Sequence, residues 1–161
     1  MKEYITNEST IIFSPNYNKQ IDINLLLTYN KIIFSNYMLT DDLFERYSNN
    51  DFYDLKYIGS IYNQYLKLHK NLINLIFDYY FNLPVKLSNI THLTFGKDFN
   101  QPVELPLNIT HLTFGEDFNK FIKLSSNLIL ITFGNCFNQP VELSPNIIYL
   151  TFGWDFNQSI V

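Results

Sequence analysis

A nineteen-residue motif recurs four times at the end of this chain, and that recurrence constrains the fold more than any other feature. Gly96, Gly115, Gly134 and Gly153 follow Phe95, Phe114, Phe133 and Phe152 at a constant spacing of 19 residues. Around them runs the pattern N-[IL]-x-x-[LI]-T-F-G-x-x-F-N, as in "NITHLTFGKDFN" from Asn89 and "NITHLTFGEDFN" from Asn108. A fixed period near 20 residues marks a stacked array, in which each repeat buries its apolar side against its neighbours.

The pattern continues upstream in looser form. "NLINLIFDYYFNLPVKL", from Asn71, places Leu75 and Phe77 where the next repeat has Leu93 and Phe95. Further upstream, "DFYDLKYIGSIYNQYLKL" fits with one inserted residue and supplies Tyr57, "KIIFSNYM" supplies Phe34, and "TIIFSPNYNKQIDI" supplies Phe13. The aromatic anchors Phe13, Phe34, Tyr57, Phe77, Phe95, Phe114, Phe133 and Phe152 predict about eight rungs. The expected architecture is a single, mainly β solenoid over 1–161 with a parallel ladder and little helix. Residues 1–70 form degenerate repeats and 71–161 regular ones. The stretch "TDDLFERY", Thr40 to Tyr47, interrupts the period and predicts a short helix capped by Thr40.

Within one rung, Leu93-Thr94-Phe95 alternates as a strand does, with Leu and Phe inward and Thr outward. Gly96 ends the strand, Phe99 returns to the core, and Val103 and Leu105 alternate around Glu104 as a second short strand limited by Pro102. The predicted inward set is Ile90, Leu93, Phe95, Phe99, Val103 and Leu105. No single rung buries enough to offset the ordering of its own chain, so stacking must supply the difference.

Composition agrees. The chain of 161 residues has no alanine, 21 asparagines, 15 Phe and 12 Tyr, which disfavours helix and favours strands and turns. The net charge of −4 offers no basic stripe to a phosphate backbone, so nucleic acid is not an expected partner. A single cysteine, Cys136, cannot form an internal disulfide and fits a reducing, cytoplasmic setting. The apolar runs "INLLL" and "KIIF" are too short to span a bilayer, and no membrane association is expected.

Two asparagine columns, Asn89/108/127/146 and Asn100/119/138/157, read as hydrogen-bonding ladders rather than as glycan sites. His92 and His111 stand at equivalent positions on adjacent rungs, and two imidazoles about 4.8 Å apart could meet a metal. Their column continues as Leu130 and Tyr149, so it supplies no third ligand, and no metal or cofactor is expected. Asp98, Asp117 and Asp155, with Cys136 between them, read as a solvated turn column. No phosphate loop, nucleophile elbow or HExxH motif is present. The chain therefore reads as a non-enzyme. Its candidate protein-binding face is the outer side of the ladder: His92, Thr94, His111, Thr113, Leu130, Thr132, Tyr149 and Thr151, with Trp154 at the rim. Apolar and aromatic residues at such outward positions are what an interface uses. The alternative is a structural, self-assembling solenoid.

The motifs "ITHLTFG" and "FNQP" (at Phe99 and Phe137), with the variants "FNKF" at Phe118 and "FNQS" at Phe156, resemble the FNIP repeat, a relative of the leucine-rich repeat found in social amoebae and in giant viruses of amoebae. The resemblance is specific from Asn71 to Val161. It implies a protein-interaction solenoid, in some members the substrate-recognition arm of an F-box ubiquitin-ligase adaptor, and a host-cytoplasmic location if the source is viral. No F-box is visible here: the N-terminal region reads as repeats, "TIIFS" and "KIIFS", rather than as amphipathic helices. The last rung, Tyr149 to Gly153, carries no blunting Lys or Pro and no cap. It predicts an end-to-end homodimer of C2 type through the C-terminal end.

Overall fold

The structure is a computed structural model that describes residues 3–14, 17, 19, 21–22, 25, 28–29, 31–34, 73–77 and 79–160. It contains one eight-stranded sheet whose spatial order follows the chain order without a crossover. Its strands are β1 (Tyr4–Thr6), β2 (Thr10–Phe13), β3 (Lys31–Phe34), β4 (Asn74–Ile76), β5 (His92–Thr94), β6 (His111–Thr113), β7 (Leu130–Thr132) and β8 (Tyr149–Thr151). From β2 to β8 every pairing is parallel. The expected solenoid with a parallel ladder and little helix is thus present, and Leu25 is the one described residue in helical conformation. No helix among the described residues is long and apolar enough to cross a membrane.

The register is the one the repeat predicts. Leu93 pairs with Leu112, Leu112 with Ile131, and Ile131 with Leu150. Upstream, Ile11 pairs with Ile32 and Ile32 with Leu75. Parallel strands need long connections, and the rest of each repeat supplies one.

Two expectations are corrected. β3 pairs directly with β4, so the parallel ladder runs through seven strands rather than eight. The rung expected around Tyr57 and the helix expected from Thr40 lie outside the described residues. The eighth strand is instead β1, which runs antiparallel to β2 and places Tyr4 opposite Phe13. It turns back through Asn7, whose side-chain oxygen accepts from the backbone N–H of Ser9 (3.1 Å) and Thr10 (2.9 Å). Second, the segments around Val103 do not form a second ladder of strands; the described bridge on that side is Val141 with Ile160. Prolines 84, 102 and 140 lack the N–H that such a ladder needs. Val103 and Leu105 still pack against the core, partly buried.

The core is built from two columns of phenylalanine. Phe77, Phe95, Phe114, Phe133 and Phe152 stack at centroid separations of 5.4, 5.5, 5.9 and 5.4 Å. Phe81, Phe99, Phe118, Phe137 and Phe156 stack alongside at 6.2, 6.1, 6.0 and 6.0 Å. Within a rung the two rings meet at about 3.7 Å, as for Phe95 and Phe99. Ile90, Ile109 and Leu128 close the same core beside the strands.

The glycines that follow β6, β7 and β8 have a steric cause. A Cβ on Gly134 would stand 2.0 Å from the carbonyl oxygen of Gly115, and one on Gly153 would stand 2.3 Å from that of Gly134. Adjacent rungs touch backbone to backbone at this corner, and no side chain fits between them.

The asparagine columns are ladders, as expected. Asn100 Oδ1 accepts from the backbone N–H of Asn119 (3.0 Å), Asn119 Oδ1 from that of Asn138 (3.0 Å), and Asn138 Oδ1 from that of Asn157 (2.9 Å). The Nε2 groups of Gln139 and Gln158 donate to the Oδ1 atoms of Asn119 and Asn138. In the other column, Asn127 Nδ2 donates to the Leu107 carbonyl (2.8 Å) and Asn146 Nδ2 to that of Ser126 (2.7 Å). Asn89 has a positive φ of 57°, a conformation Asn tolerates at a turn.

Candidate functional site

The outer positions of the ladder form two columns. The first is Thr10, Lys31, Asn74, His92, His111, Leu130 and Tyr149; the second is Ile12, Ile33, Ile76, Thr94, Thr113, Thr132 and Thr151. They change character along the stack. Ile12 and Ile33 are fully buried although they alternate with the core residues Ile11 and Ile32, so the outer side of the first two parallel strands is covered. Lys31 is half-buried there, and burial pushes its ammonium below the ordinary lysine range. From β5 onward the outer side opens. His92 is exposed, Thr94, His111, Thr113, Leu130 and Thr132 are half-buried, and Tyr149 and Thr151 are exposed.

At β5 and β6 the two imidazoles stack, with centroids 4.3 Å apart and planes 10° from parallel. The Thr91 hydroxyl donates to the Ile73 carbonyl (3.1 Å), and its oxygen lies 2.8 Å from His92 Nδ1. Its one proton is committed to the carbonyl, so the oxygen accepts from Nδ1–H, which leaves Nε2 as the acceptor. Thr110 repeats the arrangement, donating to the Thr91 carbonyl (3.1 Å) with His111 Nδ1 at 2.9 Å. Burial, and then the neighbouring His111, hold the His92 imidazole below its usual range. Parallel rings held alike direct their Nε2 lone pairs side by side, not toward a common point, so the pair is arranged to accept two hydrogen bonds rather than to chelate one ion.

Toward β8 the first outer column turns from imidazole to Leu130 and Tyr149, while the second remains threonine. Tyr149 is 63% exposed and Trp154, on the turn after β8, is 93% exposed. Sequence reasoning placed both on the candidate face. It missed Ile148, which is 71% exposed and stands where earlier rungs have Thr91 and Thr110. The signal was the change from Thr91 and Thr110 to Ile129 and Ile148 along that column, which also holds Ile73 upstream.

The turn after each strand forms a further column beside this face: Tyr79-Tyr80, Lys97-Asp98, Glu116-Asp117, Asn135-Cys136 and Trp154-Asp155. Backbone bonds hold it in register, from Asp98 N–H to Tyr79 O, Asp117 N–H to Lys97 O, Cys136 N–H to Glu116 O and Asp155 N–H to Asn135 O. Cys136 is half-buried in this column, not in the core. Lys97 Nζ lies 5.6 Å from the Tyr79 ring centre and 3.4 Å from a Glu116 carboxylate oxygen. Among the described residues no three metal-ligating side chains converge.

A second surface lies away from the ladder. A recess of about 390 Å³ is lined by Phe121, Ile122, Lys123, Leu124, Glu142 and Leu143 among others. Phe121, 72% exposed, replaces the proline found at 84, 102 and 140. The sequence showed that substitution in "FNKF", but not the recess beside it.

The family model for the FNIP Repeat matches residues 88–117 and 137–161. The unmatched stretch between them contains Phe121, yet β7 keeps the register of its neighbours. A solved structure described as "The crystal structure of CroV588 a novel circular LRR protein structure" is similar over 99% of this chain, with a TM-score of 0.50 and 24% identity. The similarity covers 33% of that protein's chain, so this chain spans about a third of its length. The likeness shows the fold. No curated protein matched the sequence.

Proposed function

We propose that this chain, a carrier of FNIP repeats in a leucine-rich-repeat-like solenoid, is a non-catalytic protein-interaction module that receives its partner on the outer side of β7 and β8. The observation that carries the reading is the progression of the outer columns. They are covered at Ile12 and Ile33, and they open downstream onto exposed Ile148, Tyr149 and Trp154. Large apolar side chains held exposed on a rigid sheet suit docking, because little conformational entropy is lost when a partner covers them. The absence of catalysis rests on the repeat family and the fold. In the finer form of this reading the solenoid is the substrate-recognition arm of a ubiquitin-ligase assembly, and its captured partner becomes ubiquitinated.

Site-specific photocrosslinking tests the face. A benzophenone amino acid at position 149 and, separately, at position 121 is irradiated in lysate from the source organism. Discrete protein adducts from 149 and none from 121 are expected. Adducts from 121 alone would move the interface to the opposite recess.

A further inference from the structure

We infer that the outer side of β7 and β8, with the turn column beside it, is a docking surface for a polypeptide segment that combines apolar residues with Lys or Arg. The inference rests on the interaction-module reading and names the chemistry of the partner. Charge complementarity decides the occupant. Among the described turn residues, one lysine, Lys97, stands against four carboxylates, Asp98, Glu116, Asp117 and Asp155. That lysine is engaged with Glu116 and Tyr79. The negative field is felt inside the column: beyond burial, which acts most, Asp117, Asp155 and Glu116 raise the Cys136 thiol. The flank beyond the second phenylalanine column shows no such bias, since Lys86, Glu104, Lys123 and Glu142 alternate in sign from rung to rung.

The column already shows how it holds a cation. At its upstream end Lys97 lies between an aromatic ring and a carboxylate, Tyr79 and Glu116. At its downstream end an aromatic ring and a carboxylate recur as Trp154 and Asp155, with Asp117 on a nearby rung, and the one lysine of the described column, Lys97, is held upstream by Glu116 and Tyr79. An indole face beside carboxylates attracts ammonium or guanidinium groups. The neighbouring Ile148 and Tyr149 provide the apolar contact. A strongly acidic segment would meet repulsion at the turn column.

The whole chain is used to select from a phage-displayed library of random dodecamer peptides, and recovered peptides are synthesised. Trp154 is the single tryptophan, so emission excited at the red edge of the indole band, where tyrosine does not absorb, reports on this corner alone. The expected result is enrichment of Lys and Arg beside apolar residues, a shift in Trp154 emission on binding, and affinity that falls as salt rises. Asp117→Asn with Asp155→Asn should weaken binding about tenfold while leaving thermal stability unchanged, and Trp154→Ala should weaken it by a similar factor. Peptides that need Tyr149 but carry no basic residues, or that ignore the double Asn variant, would overturn this inference and leave the outer-face reading intact. Peptides indifferent to Tyr149→Asp as well, or failure to recover any that shifts Trp154, would overturn both.

Discussion

A Cβ on Gly115 would stand 2.1 Å from the carbonyl oxygen of Gly96, so the two glycines set how closely adjacent rungs approach. The colliding atoms belong to the backbone and cannot swing aside. Gly115→Ala should therefore force the rungs apart and cost about 1–3 kcal/mol or more. Equilibrium denaturation measures this, and an unchanged midpoint would show that the corner yields.

The phenylalanine columns and the histidine column differ in what they contribute. Phe114 is buried and stacks on Phe95, Phe118 and Phe133. Phe114→Ala should cost about 3–5 kcal/mol. His111→Ala, on the outer side, should cost under about 1 kcal/mol. Similar losses of melting temperature in the two variants would mean that the faces are assigned wrongly.

The asparagine ladder predicts a chemical asymmetry. Asn119 Oδ1 accepts from the Asn138 N–H and from Gln139 Nε2, both at 3.0 Å. Asn119→Ala leaves that partly buried amide without its partner, at a cost of about 1–3 kcal/mol. Asn119→Asp keeps the acceptor and should recover most of the loss in the same denaturation experiment.

The stacked imidazoles predict a pH dependence with a definite sign. Burial and His111 lower the His92 imidazole in the folded state, so the unfolded chain takes up the proton first. The stability from keeping His92 neutral is present above the ordinary histidine value of about 6.5 and is lost as pH falls through the lowered folded value. Melting temperature should drop as pH is reduced from 8 through that window, and His92→Gln should flatten this part of the profile. A profile unaltered by His92→Gln would remove the stack as its cause.

Much of this architecture was legible because repetition fixes register. Leu93, Leu112, Ile131 and Leu150 occupy equivalent places in a nineteen-residue period, and no other alignment superimposes their neighbours. The asparagine ladders and the histidine stack follow from that register. Loosened periodicity hid the rest. The spacing of 20 residues from Tyr57 to Phe77 looked like one more rung, whereas Ile32 pairs with Leu75 directly. The antiparallel β1 has no counterpart in the repeat, so periodicity could not reveal it. The sequence shows Gly96 ending a strand, but not the backbone contact across rungs at Gly115, because it gives neighbours along the chain only. The candidate face was visible as a column of outward residues. The burial of Ile12 and Ile33 was not, because alternation assigns a face without saying what covers it.

Docking of a partner on the outer side of β7 and β8 can be decided by a comparison of affinities. A partner identified by crosslinking is titrated against the native chain, Tyr149→Asp and Phe121→Asp, each first shown to melt within a few degrees of the native protein. Loss of a buried aromatic anchor typically costs about 2 kcal/mol or more, roughly thirtyfold in Kd. A loss of that size is expected for Tyr149→Asp, and an unchanged Kd for Phe121→Asp. The reverse result, with Phe121→Asp abolishing binding and Tyr149→Asp without effect, would contradict docking on that side.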